Sequence, residues 1–274
     1  MVGYTFEVTI SICYKLSSFL KICLTNICVM GTIIIEVSLE ECAMSNRDSI
    51  LGEFQSKPEN TLILIGCLYR DKFADFMSEV AFAQAVSRLC RSGEIVRVSK
   101  GVYCRPKKTR FGVVMPSERE IIKFFTGGNR GVVVGYGLFN ELGVTTQVPK
   151  HFEVYSSFSD ERLKQICNVT IRKFDLEYSP EERSVIQLME LLRHCREIED
   201  LNPAELRRSI EALSREFKEG VFDTVQKAIG YPKWTVAFLR EVLNRQGIAN
   251  NLGRYLSRLS DYEIPDLDEI FTIV

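Results

Sequence analysis

On either side of Gly93 the pattern of apolar residues changes from the spacing of a helix to the alternation of a strand. This change restricts the possible folds of the chain more than any other feature of the sequence. Phe82, Val86 and Leu89 recur at the spacing of one face of a helix. After Gly93 the pattern changes to alternating apolar and polar residues, interrupted by a short turn at Gly101. Such alternation around a glycine-containing turn is typical of a β-hairpin. The sequence therefore predicts a helix followed directly by a two-stranded ribbon.

Two shorter helices are predicted before this pair, at residues 45–56 and 71–77, with a β-rich run at residues 61–65 between them. Three helices followed by a hairpin is the order of a winged helix-turn-helix, whose third helix enters the DNA major groove. We therefore predict an α+β fold. Residues 44–114 form an N-terminal winged helix-turn-helix, and residues 115–274 form a mixed α/β domain with a helical C-terminus.

Capping residues mark the helix starts of the second half. Ser117, Ser179 and Asn202 each precede a helical pattern and are followed three residues later by Glu. Residues 152–156 and 169–174 alternate as strands, and the segment between them is predicted to be a polar loop. These signals predict strands and helices in mixed order, with helices alone after about residue 180.

The first 43 residues differ from the rest of the chain in composition. They contain four of the nine cysteines and an apolar stretch that is broken by Lys21, Asn26 and Glu36. Neither a basic n-region nor a small-residue cleavage site is present, which argues against a secretory signal. Three interpretations of this leader stay open: a mis-called start with Met44 as the true start, a membrane anchor, or an extra strand or helix. The nine cysteines form no C-x-x-C pair, which favours buried thiols in a reducing, cytoplasmic compartment.

Signatures of catalytic chemistry are missing from the sequence. It contains no phosphate-binding G-x-x-x-x-G-K-[ST], no G-x-S-x-G and no H-E-x-x-H. The two histidines, His151 and His194, are interpreted as a residue at the head of a strand and one at the end of an amphipathic helix. The glycines of residues 127–131 precede a strand and are interpreted as a turn, because phosphate loops lie between a strand and a helix. We therefore expect no enzyme activity, cofactor or metal.

Charge is distributed unevenly along a chain whose net charge is only −1. Residues 88–110 contain eight basic residues and one acid, whereas residues 175–223 contain thirteen acids and seven bases. A basic block on a third helix and its hairpin is what binding to DNA phosphates requires, because Lys and Arg there release counterions from the duplex. The chain is thus predicted to bind nucleic acid locally rather than over its whole surface.

Roles within the basic block follow from spacing. Gln84, Ser87, Arg88 and Arg91 are three and four residues apart, so they share the exposed face of the predicted third helix. Gln84 and Arg88 are the expected base readers, because both can make bidentate contacts to base edges. The hairpin and the basic segment after it are expected to hold phosphates. The full predicted DNA-binding set is Gln84, Ser87, Arg88, Arg91, Arg97, Lys100, Arg105, Lys107, Lys108 and Arg110.

Three segments of the chain contain recognisable motifs. Residues 85–103 contain AVSRL and GEIVRVSKGVY, residues 134–149 read VGYGLFNELGVTTQVP, and residues 229–234 read IGYPKW. In combination these motifs, which extend over most of residues 44–259, resemble the AbiEi-type family of abortive-infection antitoxins and transcriptional regulators. The sequence departs from the family pattern at Gly137, where alanine or serine is usual.

This resemblance implies an antitoxin that binds double-stranded promoter DNA and represses its own operon. It also implies a functional partner, a nucleotidyltransferase-like toxin, without implying direct contact between the two proteins. Two alternatives stay open. One is a stand-alone winged-helix regulator whose second domain senses a ligand or mediates dimerisation. The other is a metal-dependent nucleic-acid enzyme that uses acids of the C-terminal half, although those acids are interpreted as lying largely on helix starts and exposed faces. They are Glu181, Glu182, Glu190, Glu197, Glu199 and Asp200.

Overall fold

The computed structural model describes residues 23–29, 32–38, 45–257 and 259–271, and its mixed helices and strands place the chain in the α+β class. The chain divides into two compact units, Met1–Ser49 and Ile50–Val274. In the first unit, strand β1 (Cys23–Val29) pairs antiparallel with β2 (Thr32–Ser38). The other residues of the leader, Met44 among them, lie outside the described residues, and the three interpretations of that segment stay predictions.

Three helices and three short strands come first after the leader. The strands form an antiparallel sheet in the order β3-β5-β4. Gly101 has a φ of +72° in the turn between β4 and β5, as the sequence predicted. The elements are α1 (Asn46–Gln55), β3 (Leu62–Leu64), α2 (Ile65–Lys72), α3 (Glu79–Arg91), β4 (Val96–Ser99) and β5 (Val102–Cys104).

Helix α3 forms as the apolar stripe predicted. The Ser78 hydroxyl accepts a hydrogen bond from the backbone N–H of Ala81 and caps the helix start. Phe82, Val86 and Leu89 are buried on one face and pack in a cluster with residues of α1 and α2. Burying three large apolar side chains stabilises the helix by roughly 1.5–3 kcal/mol each, more than intrinsic helix propensity supplies.

The second helix lies elsewhere than predicted. The sequence placed it at residues 71–77, but α2 begins at Ile65, directly after β3, and ends at Lys72. A tertiary hydrogen bond from the Ile65 backbone N–H to the Gly101 carbonyl marks the change from strand to helix. Phe76 lies beyond the helix and is 66% exposed, whereas Phe73 is buried. The run of apolar residues from β3 into α2 masks this boundary in the sequence.

A second hairpin occupies the segment predicted to be a basic linker. Strand β6 (Lys107–Thr109) pairs antiparallel with β7 (Gly112–Val114), and both strands are exposed. The hairpin bond from the Thr109 hydroxyl to the Gly112 carbonyl closes its turn. The described part of the chain therefore presents two hairpins in succession.

A four-stranded mixed sheet follows, in the order β10-β11-β9-β8. Strand β11 runs parallel to β9, and the other neighbouring pairs are antiparallel. Ser117 forms the predicted capping box with Glu120. The elements are α4 (Glu118–Thr126), β8 (Gly131–Val134), α5 (Tyr136–Glu141), β9 (Phe152–Ser156), β10 (Leu163–Ile166) and β11 (Val169–Lys173).

Strand β10 lies where the sequence predicted a polar loop. Its inward face carries Lys164 and Ile166, and Leu163 is 57% exposed. Lys164 has only 2% of its side chain exposed and pairs with Asp160 at 2.5 Å. The register with β11 sets this orientation, because Ile166 pairs with the buried Val169 and fixes the phase of the whole strand.

Helices complete the chain and surround α6. Ser179 and Asn202 cap their helices as predicted, with proline at the first helical position in both. Most of α6 is buried, so its apolar surface is not limited to one stripe. The elements are α6 (Pro180–His194), α7 (Pro203–Arg215), α8 (Glu219–Ile229), α9 (Lys233–Arg245), a 3₁₀ turn (Leu252–Tyr255) and α10 (Leu267–Phe271). In the described ranges, no helix is long and apolar enough to cross a membrane.

One apolar cluster joins the two halves of the second unit. Leu64 and Val102 of the first sheet pack in it together with Phe125 of α4 and with Val154 and Ile171 of the second sheet. The other face of the first sheet contributes to the cluster around α3, where Ile63 is buried. Residues on both sides of the predicted boundary between 114 and 115 therefore share one continuous core. That this boundary separates two domains stays a prediction.

Candidate nucleic-acid interface

Four polar side chains lie on the exposed face of α3. Gln84, Ser87, Arg88 and Arg91 are all exposed, and the opposite face of the helix is buried in the core. In the described part of the chain, no hydrogen bond or ion pair is made by any of these four side chains. Their donors and acceptors are thus available to another molecule.

The structure argues against a structural role for Arg88. In such a role it would pair with Glu94 or cap the helix. The Glu94 carboxylate instead accepts a hydrogen bond from the Ser92 hydroxyl at 3.0 Å, and that hydroxyl also bonds the carbonyl of Leu89 at the helix end. The end of α3 is therefore satisfied by Ser92 and not by the Arg88 guanidinium.

Two apolar side chains extend the exposed face of α3 toward its N-terminus. Phe76, just before the helix, is 66% exposed, and Val80 in its first turn is 67% exposed. The spacing from Val80 to Gln84 and Ser87 places these three residues on one face of α3. Apolar groups in the major groove contact the methyl group of thymine. Sequence reasoning missed Val80 because it assigned apolar residues to the core. The position of Val80 four residues before Gln84 was the available indication that it shares the exposed face.

The β4–β5 hairpin contacts the second sheet through its turn. Lys100 pairs with Glu161 at 3.3 Å, and the Ser99 hydroxyl donates to the carbonyl of Gln165 at 3.1 Å. Arg97 is exposed, and its Nε donates to the carbonyl of Ser99 at 3.4 Å. Lys100 is thereby partly neutralised, whereas Arg97 keeps an exposed guanidinium for a phosphate.

Arg105 follows the hairpin and is half-buried. Its buried Nε has no hydrogen-bond partner among the residues that the structure describes. A buried donor without an acceptor costs roughly 1–3 kcal/mol. Because a buried Nε is out of reach of a phosphate at the surface, the predicted phosphate contact of Arg105 depends on its charge and stays a prediction.

The β6–β7 hairpin carries the remaining predicted residues. The side chains of Lys107, Lys108 and Arg110 are all exposed. The guanidinium of Arg110 lies 4.6 Å from the ring centre of Phe111, which is 86% exposed at the turn. Sequence reasoning missed Phe111, although an aromatic residue next to a basic run was visible in it. The hairpin therefore presents a stacked arginine and aromatic pair between basic strands.

The cysteines near this surface are unreactive. Burial raises the pKa of Cys90 in α3, against the opposing effect of Arg97, and burial raises the pKa of Cys104 to about 11. Both thiols are therefore protonated at neutral pH, and a protonated thiol is a poor nucleophile. Nor do His, Cys, Asp and Glu side chains come together in groups of three or more that could hold a metal ion, as far as the described residues extend.

Comparison with known proteins identifies a similar family, and that family has no known function. Comparison with curated proteins gives no match. Residues 50–177 match a family of unknown function, DUF6088. The chain is thus similar to that family over a stretch that contains α3, both hairpins and the second sheet.

Proposed function

We propose that the protein binds double-stranded DNA through a winged helix-turn-helix formed by residues 46–104, with α3 as the recognition helix. The observation that carries this proposal is the exposed polar face of α3, whose side chains have no partner among the described residues. A helix that is firmly packed on one side and unpaired on the other is suited to enter a major groove.

The order of the elements supports this proposal. In a winged helix the first strand lies between the first and second helices, and the last two strands form the wing. The chain runs α1, β3, α2, α3, β4 and β5, and the sheet order is β3-β5-β4. The first strand is therefore paired with the second strand of the hairpin, and α3 directly precedes that hairpin.

Base contacts are assigned to the face of α3. Gln84 can make a bidentate contact to adenine and Arg88 to guanine, and Val80 is positioned for a thymine methyl. Arg97 and Arg105 are assigned to phosphates. Because the turn of the β4–β5 hairpin contacts the second sheet, Lys100 contributes less than the sequence led us to expect.

The β6–β7 hairpin is assigned as a further phosphate-binding element. Its basic side chains are exposed and make no ion pair among the described residues, so their charge is fully available to the duplex. The aromatic ring of Phe111 supports the guanidinium of Arg110.

Titration of the operon's own upstream region and of a scrambled duplex, each at two salt concentrations, tests this assignment. Arg88→Ala is expected to lose ~1–3 kcal/mol, roughly 5- to 150-fold, on the upstream duplex and much less on the scrambled one. Lys108→Ala is expected to weaken both duplexes alike and to lower the salt slope by ~1. Arg215→Ala, an exposed arginine at the end of α7, is the matched control.

Two outcomes would count against the assignment. Equal losses on both duplexes for Arg88→Ala would remove it from the base readers. Unchanged binding for both Arg88→Ala and Lys108→Ala would end the DNA-binding proposal. A melting curve for each variant separates loss of contact from loss of fold.

We further propose that the protein is an antitoxin that represses its own operon and counters a nucleotidyltransferase-like toxin. The resemblance of residues 85–103 and 134–149 to AbiEi-type antitoxins supports this role. Neutralisation is assigned to residues 115–274, so Arg88→Ala should abolish repression but still protect cells that express the neighbouring toxin gene. Loss of both activities in that variant, with the fold intact, would contradict the proposed division of labour.

A stand-alone regulator is the second candidate, and a specific observation favours it. A large cavity in the second half of the chain is suited to an effector molecule. Reading the neighbouring gene distinguishes the two candidates, because an antitoxin requires an adjacent toxin gene and a stand-alone regulator does not.

A further inference from the structure

A cavity of about 890 Å³ opens between the second sheet and the C-terminal end of α6. Strands β9 and β11 form one wall, α6 forms another, and residues 147–151 together with Ile229 and Gly230 complete the rim. Cavities of this size are typical of small-molecule and cofactor sites. This cavity is separate from the exposed face of α3.

A buried carboxylate forms part of the inner wall. Glu190 is only 2% exposed, although the sequence led us to expect it on an exposed helix face. The Tyr155 hydroxyl donates to Glu190 Oε1 at 3.1 Å, and His194 Nε2 lies 3.7 Å from Oε2. The other ring nitrogen of His194 is 2.8 Å from the carboxylate of Glu197. One oxygen of Glu190 thus accepts a hydrogen bond from Tyr155, and the other faces the imidazole of His194.

The surroundings of Glu190 are incompletely satisfied. Burial raises its pKa, against the effects of His194, Tyr231 and Tyr155. Tyr231 is 3% exposed, and its hydroxyl has no hydrogen bond of normal geometry within the described residues, although Glu190 is near enough to raise its pKa further. The Tyr231 hydroxyl, buried beside Glu190 without a well-formed hydrogen bond, is a polar group that is costly to bury.

Cations and aromatic rings complete the lining. Arg172 and Arg193 contribute guanidinium groups, and Lys150 lies on the exposed rim. Arg172 is 3.7 Å from Glu153, whereas Arg193 and Lys150 make no salt bridge within the described part of the chain. The aromatic lining includes Tyr136 and Phe174. The cavity therefore combines a buried acceptor, aromatic side chains and cations, with Glu153, Glu197 and Glu199 as further acids in its lining.

We propose that this cavity binds a guanine nucleotide, with the donor edge of the base on Glu190 and the phosphate at the arginines. This proposal goes beyond DNA binding and does not depend on it.

The chemistry of the lining selects this class of ligand. A carboxylate accepts two parallel N–H bonds, and guanine presents adjacent ring and exocyclic N–H donors on one edge. Adenine presents no such pair, because its ring nitrogen on that edge is an acceptor. Aromatic side chains favour a flat base, and Arg recognises phosphate oxygens. A simple amino acid carries an amine and an acid but would leave the aromatic walls uncovered.

Isothermal titration of the full chain with GMP, AMP, guanosine and inorganic phosphate tests the proposal. GMP should bind saturably to the wild-type protein, and AMP and guanosine should bind at least about tenfold more weakly. Glu190→Gln should weaken GMP binding by about tenfold or more, because an amide presents only one acceptor oxygen. Arg193→Ala should weaken GMP but leave guanosine unchanged. Glu177→Gln, at an exposed site outside the lining, is the matched control and should bind GMP as the wild type does.

Several results would overturn the proposal. These are an absence of saturable GMP binding, equal binding of GMP and AMP, or inorganic phosphate binding as tightly as GMP. Unchanged GMP affinity in Glu190→Gln would also overturn it. Should Glu190→Gln fail to fold, Arg193→Ala decides, because equal GMP affinity in that variant and the wild type contradicts the placement of the phosphate.

Discussion

Removing Asp160 should strongly destabilise the fold, because it would leave a buried ammonium without its partner. Lys164 has 2% of its side chain exposed and pairs with Asp160, whose side chain is 32% exposed. The pair lies beside the turn of the β4–β5 hairpin, where a Cβ at Gly101 would be 3.1 Å from the Asp160 carboxylate. We therefore expect Asp160→Ala to leave Lys164 charged, buried and unpaired.

The size of the effect follows from these exposures. Breaking a buried ion pair by removing one partner costs about 3–5 kcal/mol. Since a third of the Asp160 side chain is open to water, we expect the lower end, ~3 kcal/mol. For a protein of this size each kcal/mol lowers Tm by roughly 2–4 °C, so Asp160→Ala should melt about 6–12 °C below the wild type.

A double-mutant cycle measured by calorimetry and urea denaturation tests the reasoning. Lys164→Met in the Asp160→Ala background should recover most of the lost stability, because it removes the orphaned charge and keeps the side-chain volume. Asp261→Ala, at an exposed carboxylate for which the structure gives no ion pair, is the control and should melt as the wild type does. Melting of Asp160→Ala within about 2 °C of the wild type would contradict the expected loss, as would a double variant that is as unstable as the single one.

Three further outcomes are expected. The folded protein raises the pKa of Glu190 above its ordinary value of 4.5, so the stability that this group contributes is lost as pH rises through the folded pKa. Glu190→Gln should therefore raise Tm at pH 8 and lose this advantage toward pH 4. A Tm difference that does not change with pH would refute this linkage. Gly131→Ala would place a Cβ against the carbonyl oxygen of Tyr155, closer than real Cβ contacts allow, so urea denaturation should show a free energy of unfolding lower by about 3 kcal/mol, and a wild-type value would contradict this. Phe111→Ala should lower DNA affinity roughly two- to fivefold by removing the ring that supports Arg110. Its melting curve should be unchanged, and wild-type affinity would exclude Phe111 from the interface.

Features set by neighbouring residues in the chain could be predicted from the sequence. The stripe of Phe82, Val86 and Leu89 defined α3, and the cap at Ser117 defined α4, because both signals act within one or two helical turns. Candidate DNA contacts on α3 followed from the same periodicity. The face opposite a buried stripe is exposed, and the structure places Gln84 and the other three polar residues there.

Features set by distant residues could not be predicted in this way. The inward orientation of Lys164 depends on the register of β10 with β11, which no alternation within β10 reveals. Helix α2 begins at Ile65, where a hydrogen bond to Gly101 replaces local capping. Burial of Glu190 depends on helices that pack around α6 from several sides. One clue was available, since Glu190 interrupts an otherwise apolar run of α6, but charge alone suggested an exposed face.

The small residue at Gly137 also has a tertiary reason. A Cβ at this position would lie 2.8 Å from a methyl group of Val133 and 3.2 Å from the ring of Phe152. Any larger residue here would thus require these two neighbours to shift.

The apolar cluster that joins the first and second sheets limits how such a protein can diversify. Modular regulators acquire new DNA specificity by recombination, in which one DNA-reading module replaces another at a flexible linker. A crossover between Pro106 and Pro116 would here separate Leu64 and Val102 from Phe125 and its neighbours, and both products would expose apolar surface. Under the proposed DNA-binding role, new specificity is therefore expected to arise by point substitution on the outer face of α3, while the buried residues beneath it stay together.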